Sequence, residues 1–118
     1  MNRVSGISIK KRLMSAGVFI LLFAGTSVFG QNAAGDAASG KEAFESNCLG
    51  CHNADSEVAK MGPGLKGLFK HEKLHNGKKL TEASILELIN GGGGGMPSFA
   101  DKLTDDEKSN VIAYLKTL

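Results

Sequence analysis

Residues 39–118 are predicted to form an all-α domain that closes around something other than its own side chains. Three observations carry this prediction. Three segments open on a helix cap, and two of these, after Thr81 and Thr104, carry apolar residues spaced i, i+3, i+4, as does a short piece at Leu65, Leu68 and Phe69. No run alternates apolar and polar residues over the length of a strand. The last 88 of the 118 residues hold four aromatics (Phe44, Phe69, Phe99 and Tyr114) and 12 glycines, too little to make a core unaided.

The elements follow in order. Residues 1–30 have the form of a signal peptide, with Arg3, Lys10, Lys11 and Arg12 before the apolar run Val18–Ala24 and small residues after it. A cut after Gly30 is expected, or a few residues later after Ala33 or Ala34. The alternative is an uncleaved membrane anchor, because Leu13–Phe29 is near the minimum length for a span. Residues 31–38 read as a flexible lead-in. Ser39-Gly40-Lys41-Glu42 has the S-x-x-E form of a capping box and predicts a helix from Gly40 to about Asn47. Leu65, Leu68 and Phe69 predict a short helical piece after the Gly62-Pro63-Gly64 turn. Thr81 caps a second helix with Ile85, Leu88 and Ile89 on one face, ended by the glycines from Gly91 onward. Thr104-Asp105-Asp106-Glu107 is a further capping box, and Val111, Tyr114, Leu115 and Leu118 form the apolar stripe of the helix it opens.

Charge narrows the function. The first 30 residues hold four basic groups and no acid, leaving ten basic against twelve acidic residues in the remainder. A domain so near neutrality is not a general nucleic-acid binder. Within it, Lys60, Lys66, Lys70, Lys73, Lys78 and Lys79 fall close together with one acid, Glu72. That cluster is either a solvated loop or a basic patch that steers docking to an acidic partner.

Cys48-Leu49-Gly50-Cys51-His52 is C-x-x-C-H, and its two cysteines are the only two in the chain. Thiols at this spacing can each add across a haem vinyl group to form a thioether, and the adjacent His52 can reach the iron. An exported chain is where such attachment takes place. Two other metal readings match residues of the chain. His71-Glu72-Lys73-Leu74-His75 matches H-E-x-x-H, and Cys48, Cys51, His71 and His75 match a structural zinc set. The first needs a long helix, which Asn76-Gly77 cuts. The second has 19 residues between Cys51 and His71, more than the usual finger spacing. A thioredoxin-like C-x-x-C pair would want a βαβ context that this sequence lacks.

A histidine-bound haem iron that only carries electrons needs a second axial ligand. Met61, Met96, His71 and His75 are the candidates. Met96 is expected, because Gly91–Gly95 allows close approach to a flat ring and Pro97 sets the chain direction beyond it. It lies 44 residues from His52, enough to reach the other face, whereas Met61 is only nine residues away. An iron with His and Met ligands has a raised potential relative to two histidines.

These residues together resemble the small bacterial class I c-type cytochromes over Ser39–Leu118. Gly40 and Phe44 are similar to that family's N-terminal helix, Val111 and Tyr114 to its C-terminal helix, and Gly95-Met96-Pro97-Ser98-Phe99 to its ligand loop. The resemblance implies the cytochrome c fold, with three main helices and glycine-rich loops wrapped around one covalent haem c and its iron. It also implies that the Pro63 carbonyl accepts the Nδ1 hydrogen of His52 and that Leu65 packs on the ring. Two departures stand out: there is no tryptophan near a propionate, and the glycine run is longer than usual. The expected function is a periplasmic, monomeric one-electron carrier between redox donor and acceptor proteins. With both axial positions filled it has no place for a small-molecule substrate and is not an enzyme. The rivals are a haem sensor or enzyme with an open sixth position, and a zinc-stabilised interaction module without haem.

Overall fold

The computed structural model describes residues 34–118. The expected signal peptide and the first three residues of the expected lead-in, 31–33, lie outside them. Three helices follow one another: α1 (Ala37–Asn47), α2 (Glu82–Gly91) and α3 (Asp105–Leu115), with one 3-10 turn at Leu68–Lys70 between the first two. The described residues form no strand, only isolated bridges Lys73–Lys79 and Gly93–Met96.

α1 starts three residues before the predicted Gly40, inside the segment assigned to the lead-in. The cap is Asp36, not Ser39. The Asp36 carboxylate accepts the backbone N–H groups of Ala38 and Ser39 at 3.3 and 3.0 Å, and the Ser39 hydroxyl donates to it at 2.6 Å. A carboxylate here also meets the positive end of the helix dipole, which a hydroxyl cannot match. The Asp36 N–H is held by Asn110 Oδ1 at 2.7 Å, so the start of α1 is tied to α3.

α1 and α3 cross at Gly40. A Cβ at this position would overlap the Asn110 carbonyl, so only glycine lets the backbones approach this closely. Four residues on, one turn along the same face, Phe44 is buried, its ring tilted on Tyr114 with centroids 5.4 Å apart. The buried face of α3 is Lys108, Val111, Ile112 and Leu115. It is turned from the predicted stripe: Tyr114 and Leu118 are only half-buried, and Lys108 and Ile112 take the interior positions.

α2 and α3 begin at the predicted threonines. Thr81 and Ser84 exchange side-chain and backbone hydrogen bonds at 3.0 and 2.9 Å. Thr104 and Glu107 do the same at 3.2 and 2.8 Å. α2 continues through Gly91 and stops at Gly92, whose N–H returns to the Leu88 carbonyl at 2.7 Å.

Hydrogen bonds to these caps hold two carboxylates below their ordinary values of 3.8 for Asp36 and 4.5 for Glu107. The Ser39 hydroxyl and backbone act on Asp36, and the Thr104 backbone and hydroxyl act on Glu107. A carboxylate with a lowered folded-state pKa stabilises the fold fully above its unfolded value, and that contribution fades as pH falls through the lowered one. Asp36→Ala with Glu107→Ala should therefore lower the melting temperature of the mature protein at neutral pH. The gap to the unsubstituted protein should narrow steadily once pH drops below these ordinary values. A gap independent of pH would show that charge at the caps contributes nothing.

Candidate functional site

The C-x-x-C-H segment begins where α1 ends. Cys48 caps the helix, and the chain then turns tightly, with the N–H groups of Cys51 and His52 both donating to the Cys48 carbonyl at 3.0 and 2.9 Å. Cys48 and Cys51 form no disulfide. Burial, with a smaller contribution from Cys51, pushes the Cys48 thiol up to about 11, so it carries its proton at neutral pH.

The loop 58–65 is strapped back onto this turn. The Gly62 N–H donates to the Cys51 carbonyl at 2.8 Å, and the Leu65 N–H to the Asn53 carbonyl at 2.8 Å. Side chains add to the strap: Asn53 Nδ2 donates to the Val58 carbonyl at 2.7 Å, and Lys60 Nζ to the Leu49 carbonyl at 3.0 Å. This brings the Pro63 carbonyl within 2.8 Å of His52 Nδ1. A carbonyl only accepts, so Nδ1 is assigned the proton and Nε2 keeps its lone pair. Gly62 lies against the imidazole so closely that a Cβ there would overlap the ring.

Two connected spaces open beside His52. The inner one, about 590 Å³, is lined by Cys48, His52 and Met96 together with core residues including Phe44, Leu65 and Phe99. The outer cleft, about 1320 Å³, is bordered by Cys51, Pro63, Met61, His75, Gly92–Gly95 and again by His52 and Met96. Cys48, Cys51, His52, Pro63, Leu65 and Met96 thus all border one continuous space. A flat, largely apolar group suits it: carbon lines the inner part, two thiols stand at one wall, and an imidazole nitrogen and a thioether come from separate loops. The residues present fit a haem.

Met96 closes a tight turn. Its backbone exchanges hydrogen bonds with Gly93 at 2.9 and 3.0 Å, and φ is positive at Gly92, Gly93, Gly94 and Gly95. A side chain at any of these four positions would be strained. Four of the five glycines therefore belong to this turn, and Gly91 is the last residue of α2. Beyond it, the Phe99 N–H donates to the Ile89 carbonyl at 2.9 Å, which seats the Phe99 ring in the core.

The other candidates fall differently. Met61 is 84% exposed on the rim of the cleft, and His75 is exposed there too. His71 borders neither space. His71–Lys79 is a loop closed by the Lys73–Lys79 bridge, not the helix a protease motif requires. Among the described residues no three His, Cys, Asp or Glu side chains gather to hold a metal ion, so the zinc set does not assemble. The sequence reading placed Gly62 in the turn with Pro63 and Leu88 on the apolar face of the second helix without giving either a part in the site, and it gave none to Leu74; both leucines line both spaces.

Because the inner space lies within the apolar core, a chain that cannot hold the group should fold poorly. Cys48→Ser with Cys51→Ser, expressed without haem, should show weak helicity by circular dichroism and no cooperative melt. A sharp transition would show the core to be sufficient alone.

Comparison with known proteins agrees with this geometry. Residues 35–115 match the family model described as cytochrome C oxidase, cbb3-type, subunit III. The chain is 36% identical over 80 residues to cytochrome c6 of Leptolyngbya boryana, covering 68% of this chain and 89% of that protein. It is 35% identical to cytochrome c2 of Rhodospirillum rubrum, covering 92% of this chain and 98% of the other. The structure of cytochrome c6 from the diatom Phaeodactylum tricornutum superposes with a TM-score of 0.56 at 33% identity, covering 70% of this chain and 93% of that one.

Proposed function

The chain belongs to the class I monohaem c-type cytochromes, one-electron carriers with covalently held haem c, and on that premise we propose how its residues divide the work. Cys48 and Cys51 carry the two thioethers. His52 and Met96 would hold the iron. The observation that carries this reading is the pairing of His52 Nδ1 with the Pro63 carbonyl, which leaves Nε2 as the donor nitrogen on a ring that shares its cavity with Met96. When bound, the haem supplies the exchange between ferric and ferrous iron.

The chain's own task is to bind, orient and exclude water. Leu65, Phe44 and Phe99 line the inner space and would keep the surroundings of the bound group apolar. A neutral thioether opposite imidazole favours the ferrous state relative to a second histidine. With both positions filled, the protein is an electron carrier without a substrate site, not an enzyme. It is exported to the periplasm, by the leader in residues 1–30, and works there as a monomer. No helix among the described residues is long and apolar enough to cross a membrane.

Its partners are redox donors and acceptors, and the lysines favour an acidic oxidase or reductase. Lys78 is paired with Glu87 at 2.9 Å and Lys60 with the Leu49 carbonyl, while Lys66, Lys70, Lys73 and Lys79 form no ion pair among the described residues. Leu49, Val58 and Met61 are exposed apolar side chains on the segments strapped around Cys51 and His52. An apolar contact within a basic surround suits brief docking steered by charge.

Mass spectrometry of the mature protein should show one haem added, and the colour should survive acid-acetone extraction. Release of the colour would overturn the thioether assignment. Met96→Ala should abolish the weak long-wavelength charge-transfer band of the ferric protein and open the ferrous iron to carbon monoxide, while Met61→Ala should leave both unchanged. The reverse pattern would move the ligand to Met61. An unaltered band in both variants would exclude each methionine.

Electron transfer to an acidic acceptor should slow as salt rises, because attraction between exposed charges is screened over about 8 Å at physiological ionic strength. Lys78→Glu with Lys79→Glu should slow the low-salt reaction by roughly tenfold and flatten its salt dependence. Stopped-flow rates indifferent to salt and to both substitutions would return the cluster to a solvated loop.

A further inference from the structure

We propose that Lys108 is a positioning residue for Met96, holding from α3 the segment that leads away from that side chain; the proposal rests on Met96 being an axial ligand. Lys108 is a charged residue inside the core, with 4% of its surface exposed. Its Nζ donates to the Ala100 carbonyl at 3.1 Å and to Asp105 Oδ1 at 3.3 Å. The Asp105 side chain is 99% exposed, so water can take the place of the lysine there. At Ala100, an exposed residue, Lys108 is the one protein donor to the carbonyl among the described residues.

Ala100 lies four residues beyond Met96. Phe99 is bonded to the Ile89 carbonyl and the Ser98 hydroxyl to the Asn90 carbonyl, which fixes the first part of the segment to α2. Lys108 is its hold on α3. The ligand turn is therefore gripped from two helices, and the grip from α3 is a single side chain.

The fold itself gains little from a lysine here. Burying an ammonium is costly, and well-packed apolar side chains of similar volume often replace a buried ion pair without loss of stability. Lys108 also lies in the first turns of α3, near the end of the helix dipole that repels a cation. What lysine provides, and an apolar residue of the same length does not, is a charged donor on a long stem that fixes a carbonyl in place.

Binding of added imidazole to the ferric holoprotein reads how readily Met96 is displaced, and the denaturant midpoint reads the fold. Lys108→Met should raise imidazole affinity about tenfold, the scale of one lost charge-assisted hydrogen bond, with a midpoint equal to or above that of the unsubstituted protein. Lys108→Gln should raise the affinity in the same direction. Asp105→Asn, which keeps the bond to Ala100, should leave it unchanged. Unchanged affinity in Lys108→Met overturns the proposal. So does a parallel fall of midpoint and ligation, or failure of both Lys108 variants to mature, since either makes the lysine a requirement of the fold. Absence of the thioether band in the unsubstituted protein overturns the Met96 assignment, and this proposal with it, before any variant is compared.

Discussion

Nine apolar residues form the buried cluster of the described domain, and seven of them also line the inner space beside His52, so core and site share one set of side chains. Everything else follows from that constraint. The helices are short because they need only wall the space. The connections are long because they must pass around it. Cys48 stands at the end of α1, where the first helix meets the cavity, so attachment begins at a point already fixed by the crossing with α3.

The two sides of the cavity are built in different ways. The His52 side is local: residues 48–65 fold back on themselves through backbone hydrogen bonds, and the imidazole is fixed by a carbonyl eleven residues on. The Met96 side is assembled from distant pieces. Its turn stands on a run of left-handed glycines after α2, and the segment beyond it is held by α2 and α3 together. Rigidity there comes from the grip at its ends, because the turn has no side chains of its own until Met96.

Much of this was legible in the sequence because the signals are local. Thr81 and Thr104 open the helices they were expected to open, since a cap and its return partner lie three residues apart. The C-x-x-C-H motif and the turn through Pro63 are likewise short-range patterns. The start of α1 was misread because two candidate caps compete within three residues, and Asn110, 74 residues away, favours Asp36. The rotation of the α3 face escaped for a related reason. Lysine at position 108 looks solvated in any periodicity count, and only Ala100, on a separate loop, gives its amine a partner inside. The purpose of the glycine run was hidden too, because composition does not reveal that four successive residues share a positive φ.

The contact between Asp36 and Asn110 has an architectural consequence. The backbone enters the domain beside the same helix by which it leaves, so the two ends are neighbours and the cleft with its exposed rim belongs to the chain between them. Neighbouring ends make a domain easy to insert or append. A linker, a membrane anchor or a second electron-transfer module could be joined at this seam without threading through the loops that hold the haem. The fold is in this sense a portable unit, its ends anchored on one helix and its cleft built by the chain between them.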